Sequence, residues 1–161
     1  MRNLLKSFKY AFRGIFFGLK YERNMRIHFV AMIYMYSFLL FFDFFKVSAV
    51  EFAIIFLANA LVIAAELINT SIERTVDLAS EGFSQKGMIA KDTAAGAVLV
   101  CAIFAVLCGI AIFWQPEAFK LMFSYFGENI LRVALFMASV AVATVFIFKG
   151  FSKSSKQDNE E

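Results

Sequence analysis

The chain has 161 residues, of which 61% are hydrophobic, 18% are charged and 22 are Phe. With a mean hydropathy of +0.71, this composition excludes a disordered chain, a collagen and an ordinary water-soluble domain, and the length suits one domain. A single Pro and eight Gly argue against a turn-rich β fold, and a net charge of +3 is too small to imply a nucleic-acid partner.

The first 20 residues are broken by charges too often to hold the apolar core of a signal peptide. At 100° per residue, Arg2, Lys6, Lys9, Arg13 and Lys20 fall within an arc of about 60°. Leu4, Leu5, Phe8, Phe12, Ile15, Phe16 and Leu19 take the other side, and Tyr10 sits off the apolar arc toward water. This pattern predicts an amphipathic helix lying on an anionic membrane surface. The cluster Glu22-Arg23-Asn24-Met25-Arg26-Ile27-His28 follows, where that helix meets the first apolar run. Its plain reading is a set of interfacial anchors, with Arg23 and Arg26 holding lipid headgroups and His28 an interface residue.

Four uncharged segments predict membrane spans: residues 27–42, 52–65, 93–116 and 133–148. Asp43 and Lys46 mark a tight turn between the first two. If both termini are cytoplasmic, 13 Lys and Arg lie inside and three, Lys46, Lys120 and Arg132, lie outside. That imbalance sets the orientation: a multi-pass protein of the cytoplasmic (inner) membrane with both termini inside.

The second span runs without a break into Glu66-Leu67-Ile68-Asn69-Thr70-Ser71-Ile72-Glu73-Arg74-Thr75-Val76-Asp77. On a helix Glu66, Asn69, Glu73 and Asp77 form one stripe about 80° wide, with Asn59 on the same stripe two turns deeper. Like charges at this spacing repel, and a carboxylate beside hydrocarbon is costly. A divalent cation would offset both costs. For Asp77 a solvated face serves as well; Glu66 follows 14 uncharged residues, where an acid is usually functional. Next comes Lys91-Asp92 before Thr93-Ala94-Ala95-Gly96-Ala97. Asp92 is placed to cap a helix, the small residues permit close helix packing, and Lys91 could hold a phosphate. Cys101 and Cys108 share one apolar run, seven residues apart, and read as small buried residues rather than a disulfide or zinc site. Residues 116–161 add a loop, the fourth span and a short polar tail, 151–161, expected to be disordered.

Carboxylates for metal, cations for phosphate and an opening to lipid all fall on one membrane side. That suits phosphoryl transfer from a soluble nucleotide to a lipid alcohol, a chemistry of positioning and charge neutralisation. Neither a Walker A loop nor a kinase Gly-rich loop is present. Two other classes stay open on the residues alone. A small ion-coupled transporter would use Glu66 as a proton carrier, but the acids cluster at one edge. A non-catalytic scaffold would explain residues 94–97 but not the carboxylate stripe.

The signature Glu66-x-x-Asn69-Thr70-Ser71-Ile72-Glu73-x-x-Val76-Asp77 resembles the hallmark of the prokaryotic diacylglycerol kinase family, small integral-membrane lipid kinases. Ala90-Lys91-Asp92-x-Ala94-Ala95-Gly96-Ala97-Val98 follows at similar spacing, and Glu22-Arg23-Asn24 with His28 precedes it. The combination looks closer to the undecaprenol kinase branch. The resemblance covers residues 3–115 and implies an all-α integral membrane fold: a surface helix and three spans, usually a homotrimer. It places the kinase domain at 1–115, with an extra loop and fourth span at 116–150. It implies that Glu66 is the general base and that Asn69 orients the reacting groups. Glu22 and Glu73 would hold Mg2+ against the phosphates of ATP, and Asp77 would support the stripe. Tyr10, Gly82, Phe83, Ser84, Lys91 and Asp92 would contact the nucleotide along with Glu22 and Glu73. Asn24, Arg26 and His28 would meet the lipid alcohol, undecaprenol or diacylglycerol, beside Glu66.

Overall fold

The structure, a computed structural model, describes residues 2–80 and 82–150. The tail at 151–161 lies outside the described residues, and so does the side chain of Arg2 in the basic arc. The described elements are all helical: α1 (Arg2–Tyr21), α2 (Arg23–Phe41), α3 (Ala49–Ala79), α4 (Gln85–Phe113), α5 (Pro116–Gly127) and α6 (Ile130–Lys149). Of these, α2, α3, α4 and α6 are long and apolar enough to cross a membrane.

The apolar arc of α1 is not spent on the bundle. Leu4, Leu5, Phe8, Phe12, Ile15 and Phe16 all stay exposed, as a helix resting on lipid requires. Only the far end of α1 is seated. A Cβ on Gly18 would stand 3.1 Å from Leu67 of α3 and 3.4 Å from Met25 of α2, so glycine permits this close crossing. A peptide of residues 1–20 is therefore expected to bind anionic vesicles more tightly than neutral ones, each cation adding up to about 1 kcal/mol. Equal partitioning into both vesicle types in a sedimentation assay would contradict it.

Helix α3 opens with a capping box. The Ser48 hydroxyl accepts from the Glu51 N–H at 3.3 Å, and the Glu51 carboxylate accepts from the Ser48 N–H at 2.7 Å. The helix is 31 residues long, whereas about 20 cross the hydrocarbon. Its last turns, carrying residues 69–79, therefore project past the bilayer core, and the carboxylate stripe emerges on a rigid helix.

The most extensive helix pair is α3 with α4. Their joint is tight at Gly87, where an added Cβ would stand 2.8 Å from Val76. The cap of α4 is Ser84, whose hydroxyl accepts from the Gly87 N–H at 3.2 Å. Asp92 is thus not the cap expected from the sequence; it lies two turns inside the helix, because Ser84 offers the earlier hydroxyl and the chain is already helical from Gln85. In the small-residue run, Ala94 and Val98 are buried, Ala95 and Ala97 are exposed, and a Cβ at Gly96 would meet nothing within 4 Å.

The far end of α4 also departs from expectation. The helix stops at Phe113 rather than continuing to 116, and residues 116–127 form α5 instead of a loop. Pro116 causes both: it disfavours a helical Gln115 and is preorganised as the first residue of a new helix. The Gln115 side chain then ties two connections together. Its carbonyl oxygen accepts from the Lys46 N–H at 3.1 Å, and its amide donates to the carbonyls of Lys46 and Ile112, both at 3.0 Å.

Helix α6 packs on α2 and α5. Tyr34 and Ser139 share a hydrogen bond of 2.9 Å across the α2–α6 seam, and Phe38, Phe126 and Phe136 meet edge to face or tilted beside it. Few side chains are buried within the chain, and large apolar residues such as Leu99, Phe104, Leu107, Leu135 and Val142 point outward. Between lipid-facing helices the hydrophobic effect gives little, so packing and polar contacts of this kind hold the bundle. Cys101 and Cys108 are free thiols, half-buried on α4.

Candidate active site

The basic end of the bundle gathers the start of α2, the end of α3 and the start of α4. One non-helical residue, Glu22, joins α1 to α2. It occupies the N-cap position of α2, yet its carboxylate makes no cap hydrogen bond and remains available. Burial pushes the Glu22 carboxyl above the ordinary range, and the negative charges of Glu73 and Glu66 push it further, against the opposing Arg74 and Arg26. Three carboxylates, two from α3 and one from the α1–α2 join, thus share one electrostatic neighbourhood.

On α3, Glu66 is 3% exposed and Asn69 9%. His28 Nε2 of α2 approaches Glu66 Oε1 at 3.3 Å, without the alignment of a hydrogen bond, so that buried oxygen has no hydrogen-bond partner. Asn69 donates to Glu73 Oε1 at 2.8 Å, and its own Oδ1 is also buried without a partner. Unpaired buried acceptors of this kind are costly and call for a donor or a cation. The expected stripe is therefore a physical cluster, with Glu66 deepest and Glu73 half-buried nearer water. Among the described residues, no group of three or more His, Cys, Asp or Glu side chains is close enough to hold a metal ion on its own. Magnesium commonly takes one or two carboxylates and completes its shell with water and phosphate oxygens, a demand these acids fit.

A second cluster sits at the α3–α4 joint. Val76, Asp77, Ser80, Gly82, Phe83, Ser84, Gly87, Met88, Lys91 and Asp92 line a cleft of about 280 Å³. Lys91 is ion-paired with Asp77 across it. The structure thus gathers Gly82, Phe83, Ser84, Lys91 and Asp92 in one place, with Asp77 on their wall rather than at the buried end of the stripe. Tyr10 is elsewhere, in a groove of about 460 Å³ between α1 and α3 that Thr70, Ser71 and Arg74 also line.

The remaining residues divide. Asn24 is exposed. His28 heads an apolar groove of about 350 Å³ between α2, α3 and α4, lined by Met32, Val62, Ala105 and Phe113 among others. Asn59 lines it too, its amide held by the Tyr36 hydroxyl at 2.9 Å. Arg26 is not presented to headgroups: it is 6% exposed and bound to backbone carbonyls. The sequence reading passed over Arg74, whose guanidinium lies 4.6 Å over the Phe17 ring and whose charge bears on Glu22. A cation directly following Glu73 was the available signal.

The stretch of sequence that carries these residues matches known proteins. The sequence model of the prokaryotic diacylglycerol kinase family matches residues 9–113, from within α1 to the end of α4. A protein from Synechocystis sp. named diacylglycerol kinase is 40% identical over 118 residues, 71% of this chain and 64% of that protein. A Bacillus subtilis protein named undecaprenol kinase is 37% identical over 115 residues, 70% of this chain and 89% of that protein. The chain thus spans about two-thirds of the Synechocystis relative and most of the Bacillus one. With the matched region containing both side-chain clusters and all but the appended helices, this chain belongs to the prokaryotic diacylglycerol kinase family.

Proposed function

We propose that this chain is a lipid kinase that transfers the terminal phosphoryl group of ATP to the hydroxyl of a membrane lipid alcohol. The reaction takes place at the cytoplasmic face of the inner membrane, where the excess of Lys and Arg puts both termini. The observation that carries the reading is Glu66. It is a buried carboxylate with an oxygen that makes no hydrogen bond, 3.3 Å from the His28 that heads an apolar groove, and its charge bears on Glu22 together with that of Glu73.

On this reading the lipid hydroxyl arrives at Glu66 between His28 and Asn24, its chain entering the groove below His28. Glu66 takes the proton from the hydroxyl as oxygen attacks phosphorus, and Asn69 holds the reacting groups in line. Glu22 and Glu73 hold magnesium, which neutralises charge on the phosphates. Lys91 and Asp92, with Gly82, Phe83 and Ser84, hold the nucleotide in the cleft at the α3–α4 joint; Tyr10, in the separate α1–α3 groove, does not line that cleft. Asp77 supports the site by fixing Lys91. The exposed α4 face around Ala95 and Gly96 has room for a helix of a second copy, in keeping with a homotrimer.

Purified protein given ATP, magnesium and either undecaprenol or diacylglycerol should phosphorylate at least one lipid. ATP consumption that ignores both lipids, or none at all, would overturn the assignment. The names of the two relatives make these the lipids to compare.

A further inference from the structure

The appended helix α6 lies outside the family-matched segment, yet its last turn reaches the junction of α1 and α2. The contact is Arg26, one turn into α2 and 6% exposed. Its Nη1 donates to the carbonyls of Lys20 at 2.9 Å and Leu19 at 3.4 Å, in the last turn of α1. Its Nε donates to the carbonyl of Ile147 at 2.9 Å, in the last turn of α6. Carbonyls in a last turn have no partner within their own helix, and a helix C-terminus carries partial negative charge. One buried cation thus satisfies two helix ends, and the rigid fork of a guanidinium lets it reach both at once.

The chain then folds back against that cation. Gly150, at the C-cap of α6, has φ +61, and a Cβ there would stand 3.0 Å from Arg26 Nη1 and 3.1 Å from its Cζ. Both the backbone conformation and the close approach demand glycine. Because α6 packs on α2 and α5 among the described residues, its influence on the site passes through α2. The junction it grips has a single non-helical residue, Glu22, with no side-chain cap to hold the angle.

We propose that α6, acting through Arg26, fixes the elbow between α1 and α2 and so sets where Glu22 stands; Arg26 and Gly150 are positioning residues. The placement of Glu22 in the phosphoryl-transfer site rests on the reading given above, whereas the control of the elbow by α6 does not. Three backbone acceptors from two helices converge on Arg26. Without α6 the guanidinium loses its Ile147 acceptor, and α1 is held to α2 by its own last turn alone.

The test uses the full chain in lipid bilayers, with Cys101→Ala and Cys108→Ala to clear native thiols. Spin labels at Lys9→Cys on α1 and Leu78→Cys on α3 report the elbow, since both positions are exposed. Arg26→Lys keeps the charge and loses the fork; Gly150→Ala leaves Arg26 in place and presses on it. Both should broaden and shift the label distance, and the double variant should be no worse than the worse single one, because they act on one contact. Misplacement on the ångström scale should lower kcat/KM for magnesium nucleotide by up to about 10²-fold. If Arg26→Lys fails to fold, Gly150→Ala alone decides. An unchanged distance distribution in the folded variants overturns the proposal, whatever turnover does. A shifted distance with unchanged nucleotide kinetics upholds the role of α6 and overturns the reading of Glu22.

Discussion

Glu66→Gln is expected to lose turnover by about 10²- to 10⁴-fold while still binding nucleotide and magnesium. The argument is one of position. Glu66 and Glu73 are seven residues apart on one helix, roughly 10 Å along its axis at 1.5 Å per residue. Glu66 is 3% exposed and lies 3.3 Å from His28, which lines the apolar groove; Glu73 is half-buried nearer water. A membrane-embedded hydroxyl can reach the first and a soluble nucleotide the second. Gln keeps the shape of Glu66 and cannot accept the proton. Because phosphoryl transfer can be largely dissociative, the loss belongs at the lower end if charge neutralisation carries most of the rate. Turnover and nucleotide affinity measured on the same purified variant decide the matter. Parental turnover would remove Glu66 as the base, and vanished nucleotide binding would make it a structural or metal residue.

The second large effect is expected at the metal. Glu22→Gln and Glu73→Gln should each raise the magnesium concentration needed for half-maximal activity at least severalfold, or abolish activity. The two acids come from different elements and repel one another, with Glu66 adding to the repulsion at Glu22. A cation between them turns that cost into binding energy. The sign of the pH effect follows from Glu22. Burial, then its acidic neighbours, holds its carboxyl above the ordinary range, so protons compete with magnesium at a higher pH than they would for a solvated glutamate. The magnesium requirement should therefore climb as pH falls, more steeply in the parent than in Glu22→Gln. Magnesium titrations at several pH values check this, and superimposable curves for parent and both variants would refute a shared metal.

Helix periodicity made the stripe legible. Glu66, Asn69 and Glu73 recur at three and four residues, and continuity with an apolar run placed them at a membrane edge. Four uncharged segments, of which one, 93–116, is long enough on its own to span, likewise announced four helices of spanning length. Other features depended on partners far along the chain. Arg26 reads in isolation as one more interfacial cation, and only the Ile147 carbonyl, 121 residues away, turns it inward. The pairing of His28 with Glu66 joins two helices whose relative rotation no local pattern fixes. The start of α4 was misjudged because a strong acid, Asp92, stood beside the apolar run, while the Ser84 hydroxyl had already begun the helix two turns earlier. Helix α5 escaped because a segment of 12 residues with Glu117 and Lys120 near its start has too little apolar length to stand out between two spans.

The one-residue join at Glu22 also makes chain length unforgiving. At Glu22 there is no slack: α1 ends at Tyr21 and α2 begins at Arg23. One added residue would turn α1 by about 100° relative to α2. The apolar arc from Leu4 to Leu19 would roll off the lipid, and the lysines and arginines would roll toward it. Insertions and deletions should therefore be purged at this elbow, where the count of residues is itself part of the fold.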